Sequence, residues 1–116
     1  MMLFSEFQRG AAQHVFAGLG EQWLTILQQA GSYEDLRSIV VRVNDKDIGR
    51  FVAAVLRYAG NCSTAEFRLL LAICSLCDFG HIADEFAGGH AWQNIARSCD
   101  RDFRAAIAAC VEASPG

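Results

Sequence analysis

The sequence predicts a mainly α-helical protein, a compact bundle of five or six helices around a buried central helix. The first observation is the stretch 63–86, whose first half is apolar on nearly every side. A helix that is apolar all round must be enclosed by other helices. The second is the i, i+3, i+4, i+7 spacing of apolar residues elsewhere, which indicates amphipathic helices. The third is the length: 116 residues predict a single domain, residues 1–116, with a core of its own.

The first predicted helix spans residues 5–18. Ser5 is a suitable N-cap, and apolar residues follow it at helical spacing. Gly10 weakens the helix by about 1 kcal/mol relative to Ala. Gly18 and Gly20 favour its end.

The next stretch, residues 21–45, supports two interpretations. As helices, it offers Ser32 and Asp35 as a capping pair. Four of its apolar residues also fit one helical face: Leu36, Ile39, Val40 and Val43. As strands, four of the five residues in 39–43 are β-branched, which favours a pleated surface. A short N-terminal β-hairpin within residues 23–43 is therefore an open alternative.

A clearer helix is predicted over residues 46–59, with Asp45 as its N-cap. Its expected buried face consists of Ile48, Phe51, Val52, Val55, Leu56 and Ala59. The central helix then begins with Ser63 and Glu66 at capping-box spacing and ends near Asp78.

Three helices are predicted after the central one. Short helices are expected over residues 81–87 and 91–98, separated by the glycine pair 88–89. The last helix spans residues 101–113 and has an alanine-rich face that allows close approach of another helix. That face is the expected contact if the chain forms a homodimer.

Composition excludes several classes of function. The net charge of −3 lacks the basic field of a nucleic-acid surface. The longest apolar run, residues 69–74, is too short to span a bilayer, and the N-terminus lacks the pattern of a signal peptide. Five cysteines, an odd number, are typical of reduced thiols in a cytosolic protein. We therefore expect a cytoplasmic protein that does not bind membranes.

The pair Cys74 and Cys77 has the spacing of one arm of a zinc site. It lies inside an apolar helix, however, and no second pair of this spacing exists. Free cysteine packs as a small hydrophobe, so we expect these thiols to belong to the core, with no metal and no cofactor. A metal- or thiol-dependent activity at this pair is one alternative.

Catalytic motifs are missing from the sequence: it contains no nucleophile elbow and no phosphate-binding loop. We therefore expect no enzymatic activity. The stretch 79–96 has the outline of a helix-turn-helix. A DNA-binding regulator is a second alternative, although the acidic residues of its first helix would repel phosphate.

A polar surface follows the central helix. Seven polar side chains gather within seventeen residues and form the candidate partner-binding site: Asp78, His81, Asp84, Glu85, His90, Gln93 and Asn94. A second candidate partner-binding edge consists of arginines, whose guanidinium groups pair well with carboxylates: Arg50, Arg57, Arg101 and Arg104.

Three stretches carry two resemblances to proteins of mobile genetic elements. The C-terminal stretch 78–113, DFGHIADEFAGGHAWQNIARSCDRDFRAAIAACVEA, looks like small uncharacterised proteins of proteobacterial phages and integrative elements. VFAGLGEQ at 15–22 and SIVVRVNDKD at 38–47 resemble the start of phage head–tail joining proteins. The rest of the sequence is predicted to be helical, which departs from the all-β character of the head–tail joining proteins.

These resemblances imply a bacterial mobile-element protein. Short proteins of that origin often inhibit host defence complexes, as anti-CRISPR proteins do. We therefore expect a non-enzymatic protein-binding module that occludes a surface of its partner, such as a CRISPR effector subunit. A phage structural protein is the third alternative.

Overall fold

A computed structural model describes residues 2–86 and 101–115, which are helical apart from short connections and contain no β-strand. The mainly α-helical fold is confirmed, although the described residues form eight helices and not the five or six that were predicted. The described helices are α1 (Phe4–Arg9), α2 (Ala11–Leu19), α3 (Glu21–Gln29), α4 (Tyr33–Lys46), α5 (Arg50–Ala59), α6 (Thr64–Leu76), α7 (Gly80–Phe86) and α8 (Arg101–Ala113).

Helix α6 is the buried centre of the bundle, as predicted. Its N-terminus is closed by a capping box: Ser63 Oγ accepts from the Glu66 N–H at 3.2 Å, and Glu66 Oε1 accepts from the Ser63 N–H at 3.0 Å. Every residue from Leu69 to Cys74 is buried. Helix α6 packs against α2, α5, α7 and α8.

Helix α8 presents small residues to α6. Ala106, Ile107, Ala109 and Cys110 of α8 are buried, and α8 packs against both α6 and α2. Small side chains let two helix axes approach closely, so the alanine-rich helix predicted at the C-terminus contributes to the core. Ala105 and Ala108 remain exposed.

The N-terminal helix is interrupted, whereas one continuous helix was predicted. Gly10 is both the C-cap of α1 and the N-cap of α2, with φ −93° and ψ −147°. The Gln8 side chain donates to the carbonyls of Leu27 at 2.8 Å and Ala30 at 2.9 Å. The break at Gly10 therefore accompanies a contact in which Gln8 of α1 caps free carbonyls at the end of α3.

The predicted hairpin alternative within residues 23–43 is wrong, because α3 and α4 occupy this stretch. Ser32 caps α4, its Oγ accepting from the Asp35 N–H at 3.0 Å. Leu36 and Val40 are buried on one helical face. Burial of that face outweighs the strand preference of the β-branched residues, because β-propensity is mainly a packing effect.

The α4–α5 connection differs from the prediction that a helix begins at residue 46. Helix α4 continues to Lys46, and Gly49 precedes α5 in the left-handed conformation, with φ 79°. The Asn44 side chain accepts from the Phe51 N–H at 2.9 Å. The amphipathic face of α4 extends its helix beyond Asp45, which therefore does not act as an N-cap.

Two contacts position the C-terminal half of the bundle. Arg37 of α4 donates from Nε to the carbonyl of Leu76 at 2.9 Å and from Nη2 to the carbonyl of Ala113. The phenyl rings of Phe51 and Phe79 lie 5.1 Å apart, which holds the beginning of α7 against α5. Among the described residues, no helix has both the length and the apolar character needed to cross a bilayer.

Candidate partner-binding surface

Helix α7 carries three of the predicted site residues on one face. His81, Asp84 and Glu85 are exposed, and their i, i+3, i+4 spacing places them together. Ala83 is buried and anchors the opposite side of α7. We call His81, Asp84 and Glu85 the acidic face.

Asp78 lies elsewhere, at the end of α6. It has φ 68°, its N–H donates to the carbonyl of Ser75 at 3.2 Å, and the Phe79 N–H donates to that of Cys74 at 2.6 Å. These bonds form a Schellman motif, in which Asp78 occupies the position usually held by Gly. The Asp78 side chain lines a depression beside α4, whereas Glu85 lines the groove between α5 and α7.

The remaining predicted site residues, His90, Gln93 and Asn94, lie outside the described residues. The same is true of the second half of the helix-turn-helix outline, the predicted helix 91–98 and Cys99. The described half of that outline is α7, whose exposed carboxylates face solvent.

An apolar groove lies beside the acidic face, between α5 and α7. Val52, Leu56, Ile82 and Glu85 line a volume of about 270 Å³. Leu56 is 55% exposed and Ile48 is 93% exposed, so their predicted burial is wrong. Leu56 lies on a flank of α5 that the bundle does not cover, and Ile48 lies in the turn before α5 rather than in the helix. We call Val52, Leu56, Ile82 and Glu85 the α5–α7 groove.

The arginines of the second candidate edge are divided between two helices. Arg50 and Arg57 line a cleft of about 480 Å³ between α3 and α5. Arg50 pairs with Asp47 at 2.7 Å, and Arg57 donates to the carbonyl of Leu19 at 2.7 Å. Arg101 and Arg104 are exposed on α8. Arg50 thus stabilises the turn between α4 and α5, and Arg57 stabilises the end of α2.

A polar cluster around Glu66 joins three helices. Its Oε2 atom accepts from the Tyr58 hydroxyl at 2.5 Å and lies 3.0 Å from Nε2 of His14. The hydrogen bond from Tyr58, followed by those from Ser63, lowers the pKa of Glu66 from 4.5 to about 2. Burial, followed by the hydrogen bond to Glu66, raises the pKa of the Tyr58 phenol. The only sequence signal for this cluster was the capping box.

This cluster is suited to joining helices rather than to proton transfer near neutral pH. Glu66 stays ionised and Tyr58 stays protonated, since both pKa values lie far from neutrality. Burial, followed by the charge of Glu66, also raises the pKa of Cys62. A thiol whose pKa is raised forms little of the nucleophilic thiolate.

The central thiols lie in the α6–α8 core. Cys74, Cys77 and Cys110 are buried and not joined in disulfides. Burial raises the pKa of Cys74 to about 12 and also raises the pKa values of Cys77 and Cys110. In the part of the chain that the structure describes, no three His, Cys, Asp or Glu side chains are grouped to hold a metal ion.

Comparison with known proteins adds no further assignment. No protein-family model, curated protein or solved structure matches this chain.

Proposed function

We propose that this protein is a non-enzymatic protein-binding module whose acidic face docks on a basic surface of a larger complex and occludes it. The supporting observation is the convergence of His81, Asp84 and Glu85 on one exposed side of α7. Asp84 and Glu85 form no ion pair within the described residues. Among the residues that the structure describes, no cation neutralises these two carboxylates, which supports a cationic partner.

Charge complementarity indicates the class of partner. Opposite potentials steer two proteins together and select the correct partner. Surfaces that hold nucleic acid are strongly basic, and CRISPR effectors hold the guide–target duplex in a positively charged channel. The resemblance to mobile-element proteins points to the same class, so a CRISPR effector subunit is the partner to test first.

The decisive experiment is co-purification with CRISPR effector subunits from a bacterial lysate, using the tagged chain as bait. We expect retention of an effector subunit, and weaker retention when NaCl is raised from about 50 mM to about 300 mM. Failure to retain any such subunit would contradict the proposed inhibition.

Matched charge reversals test the surface. The double variant Asp84→Lys/Glu85→Lys should lose about tenfold or more in affinity for the retained subunit. The control is Glu34→Lys/Glu112→Lys, which makes the same change of net charge at exposed positions outside α7. Equal losses in both variants would show that net charge, and not the acidic face, governs binding.

A further inference from the structure

The α5–α7 groove and the acidic face share one residue. Glu85 lines the groove with Val52, Leu56 and Ile82, and it directly follows Asp84 on the exposed side of α7. A partner that contacts both carboxylates therefore also lies over the edge of the groove. Neither carboxylate forms an ion pair within the described part of the chain, so the charge at this edge is negative.

The groove has the dimensions of a site for one turn of another helix. Its volume is about 270 Å³, below the range of about 300–1,000 Å³ that is typical of small-molecule pockets. Val52 and Leu56 are four residues apart on α5, and Ile82 and Glu85 are three residues apart on α7. Each wall is therefore about 4.5–6 Å long. Side chains three or four residues apart on a helix have Cβ atoms about 5–6 Å apart, so two of them fit this length.

Two other modes of peptide recognition lack their structural basis here. Strand addition requires an exposed sheet edge, and residues 2–86 and 101–115 contain no strand. Polyproline recognition requires an aromatic-lined groove, whereas the described lining consists of three aliphatic side chains and Glu85. An amphipathic helix laid into an apolar groove is the mode that matches both the lining and the length.

We propose that the α5–α7 groove binds a basic amphipathic helix of the partner, an inference that rests on the protein-binding function proposed above. Two apolar side chains of that helix, three or four residues apart, enter between Val52, Leu56 and Ile82. Lysine or arginine residues beside them face Asp84 and Glu85. Burial of the apolar side chains supplies affinity, and the opposite charges orient the helix and select against acidic helices.

Synthetic peptides of defined pattern test the chemistry of this ligand. The probe is a fluorescein-labelled peptide of leucine and lysine, about 18 residues long, with leucine at helical spacing. One control peptide has the same composition with leucine and lysine alternating, and the other has glutamate in place of lysine. In fluorescence anisotropy, the helical leucine–lysine peptide should bind about tenfold or more tightly than either control. Equal binding of either control, or no binding of the probe at about 500 µM protein, would overturn the proposal.

Substitutions in the protein locate the bound peptide. Leu56→Gln and Leu56→Ala should each weaken binding of the probe about fivefold or more, because each removes apolar surface from the groove without changing its charge. The control is Leu3→Gln, since Leu3 is 66% exposed at the start of α1, and its Kd should equal that of the wild type. Unchanged binding by both Leu56 variants would overturn the proposal. A melting temperature lowered by more than about 4 °C in Leu56→Gln would also overturn it, by showing that the groove is filled from within the same chain.

Separate substitutions distinguish failure of the groove from failure of the acidic face. Leu56→Gln leaves the acidic face unchanged, whereas Asp84→Lys/Glu85→Lys reverses its charge. If a retained effector subunit binds Leu56→Gln as tightly as the wild type, the groove is not its binding site, and the proposed function stands. If the probe requires Leu56 but no effector subunit is retained, the CRISPR effector is not the partner, and the assignment of the groove stands.

Discussion

The hydroxyl of Tyr58 donates a hydrogen bond of 2.5 Å to Oε2 of Glu66, which joins the end of α5 to the first turn of α6. The other carboxylate oxygen accepts from the Ser63 N–H. His14 of α2 contacts Oε2 through Nε2, which must carry the hydrogen because a carboxylate only accepts. One side chain thus connects three helices at the capped end of the central one.

Replacing Tyr58 by Phe should lower the free energy of unfolding by about 1.5–3 kcal/mol, because the bond it removes is to an ionised group. Urea denaturation at neutral pH measures the change. Tyr33→Phe is the control, since the Tyr33 hydroxyl donates at 2.9 Å to the neutral carbonyl of Met2. Its loss should be about 1 kcal/mol. Equal losses would show that the charge of Glu66 does not strengthen the bond.

Gly18→Ala should destabilise the protein, although Ala is normally the better helix former by about 1 kcal/mol. A Cβ at Gly18 would lie 2.1 Å from Cε1 of Tyr58, so the ring must move. We expect a loss of about 1–3 kcal/mol in thermal or urea unfolding. In the control Gly31→Ala, the nearest atom is 3.9 Å away, and the change should stay below about 0.5 kcal/mol. A stabilised Gly18→Ala variant would contradict this packing.

Stability should fall in acid through Glu66. The carboxyl takes up a proton near pH 4.5 when the chain is unfolded, but only near pH 2 when it is folded. Its contribution is therefore complete above about pH 5 and is lost as the pH falls from 4.5 towards 2. In urea titrations, Glu66→Gln should be less stable than the wild type at pH 7, and the difference should shrink over this range. A difference that is independent of pH would contradict the lowered pKa.

Arg37→Met should lower the free energy of unfolding by about 2–3 kcal/mol, because it leaves the terminal carbonyls of α6 and α8 without their cationic donor. Arg37→Lys should lower the free energy of unfolding by less than Arg37→Met does. An ammonium keeps the charge but does not match both carbonyls as the planar guanidinium does. The control is Arg42→Met, which removes an exposed cation of α4 and should change stability by less than about 0.5 kcal/mol. Denaturant titration of the three variants separates these outcomes.

Two leucine truncations of the same chemistry distinguish core from surface. Leu70 is fully buried in α6, so Leu70→Ala should cost about 2–5 kcal/mol. Leu56 is 55% exposed, so Leu56→Ala should cost less than about 1 kcal/mol. A loss below about 1 kcal/mol for Leu70→Ala would show that α6 is not the centre of the fold.

Local patterns predicted much of this fold correctly. Ser63 and Glu66 lie three residues apart, and the apolar run behind them is continuous, so the central helix and its cap follow from neighbouring residues alone. The acidic face of α7 was partly predictable for the same reason, because His81, Asp84 and Glu85 share one helical period. Asp78 was grouped with them by closeness in sequence, and the structure places it in the turn at the end of α6, outside α7.

The amino-acid sequence alone was therefore sufficient for the helical class, the buried centre and one charged helix face, since each depends on residues within a turn or two. Tertiary structure decided which flank of α5 is covered, and so left Leu56 exposed; it also placed Ile48 in the turn before α5, where the side chain is exposed. It also brought Glu66 to Tyr58 and His14, and Arg37 to the ends of α6 and α8. These contacts depend on how whole helices pack against one another, which no local spacing encodes.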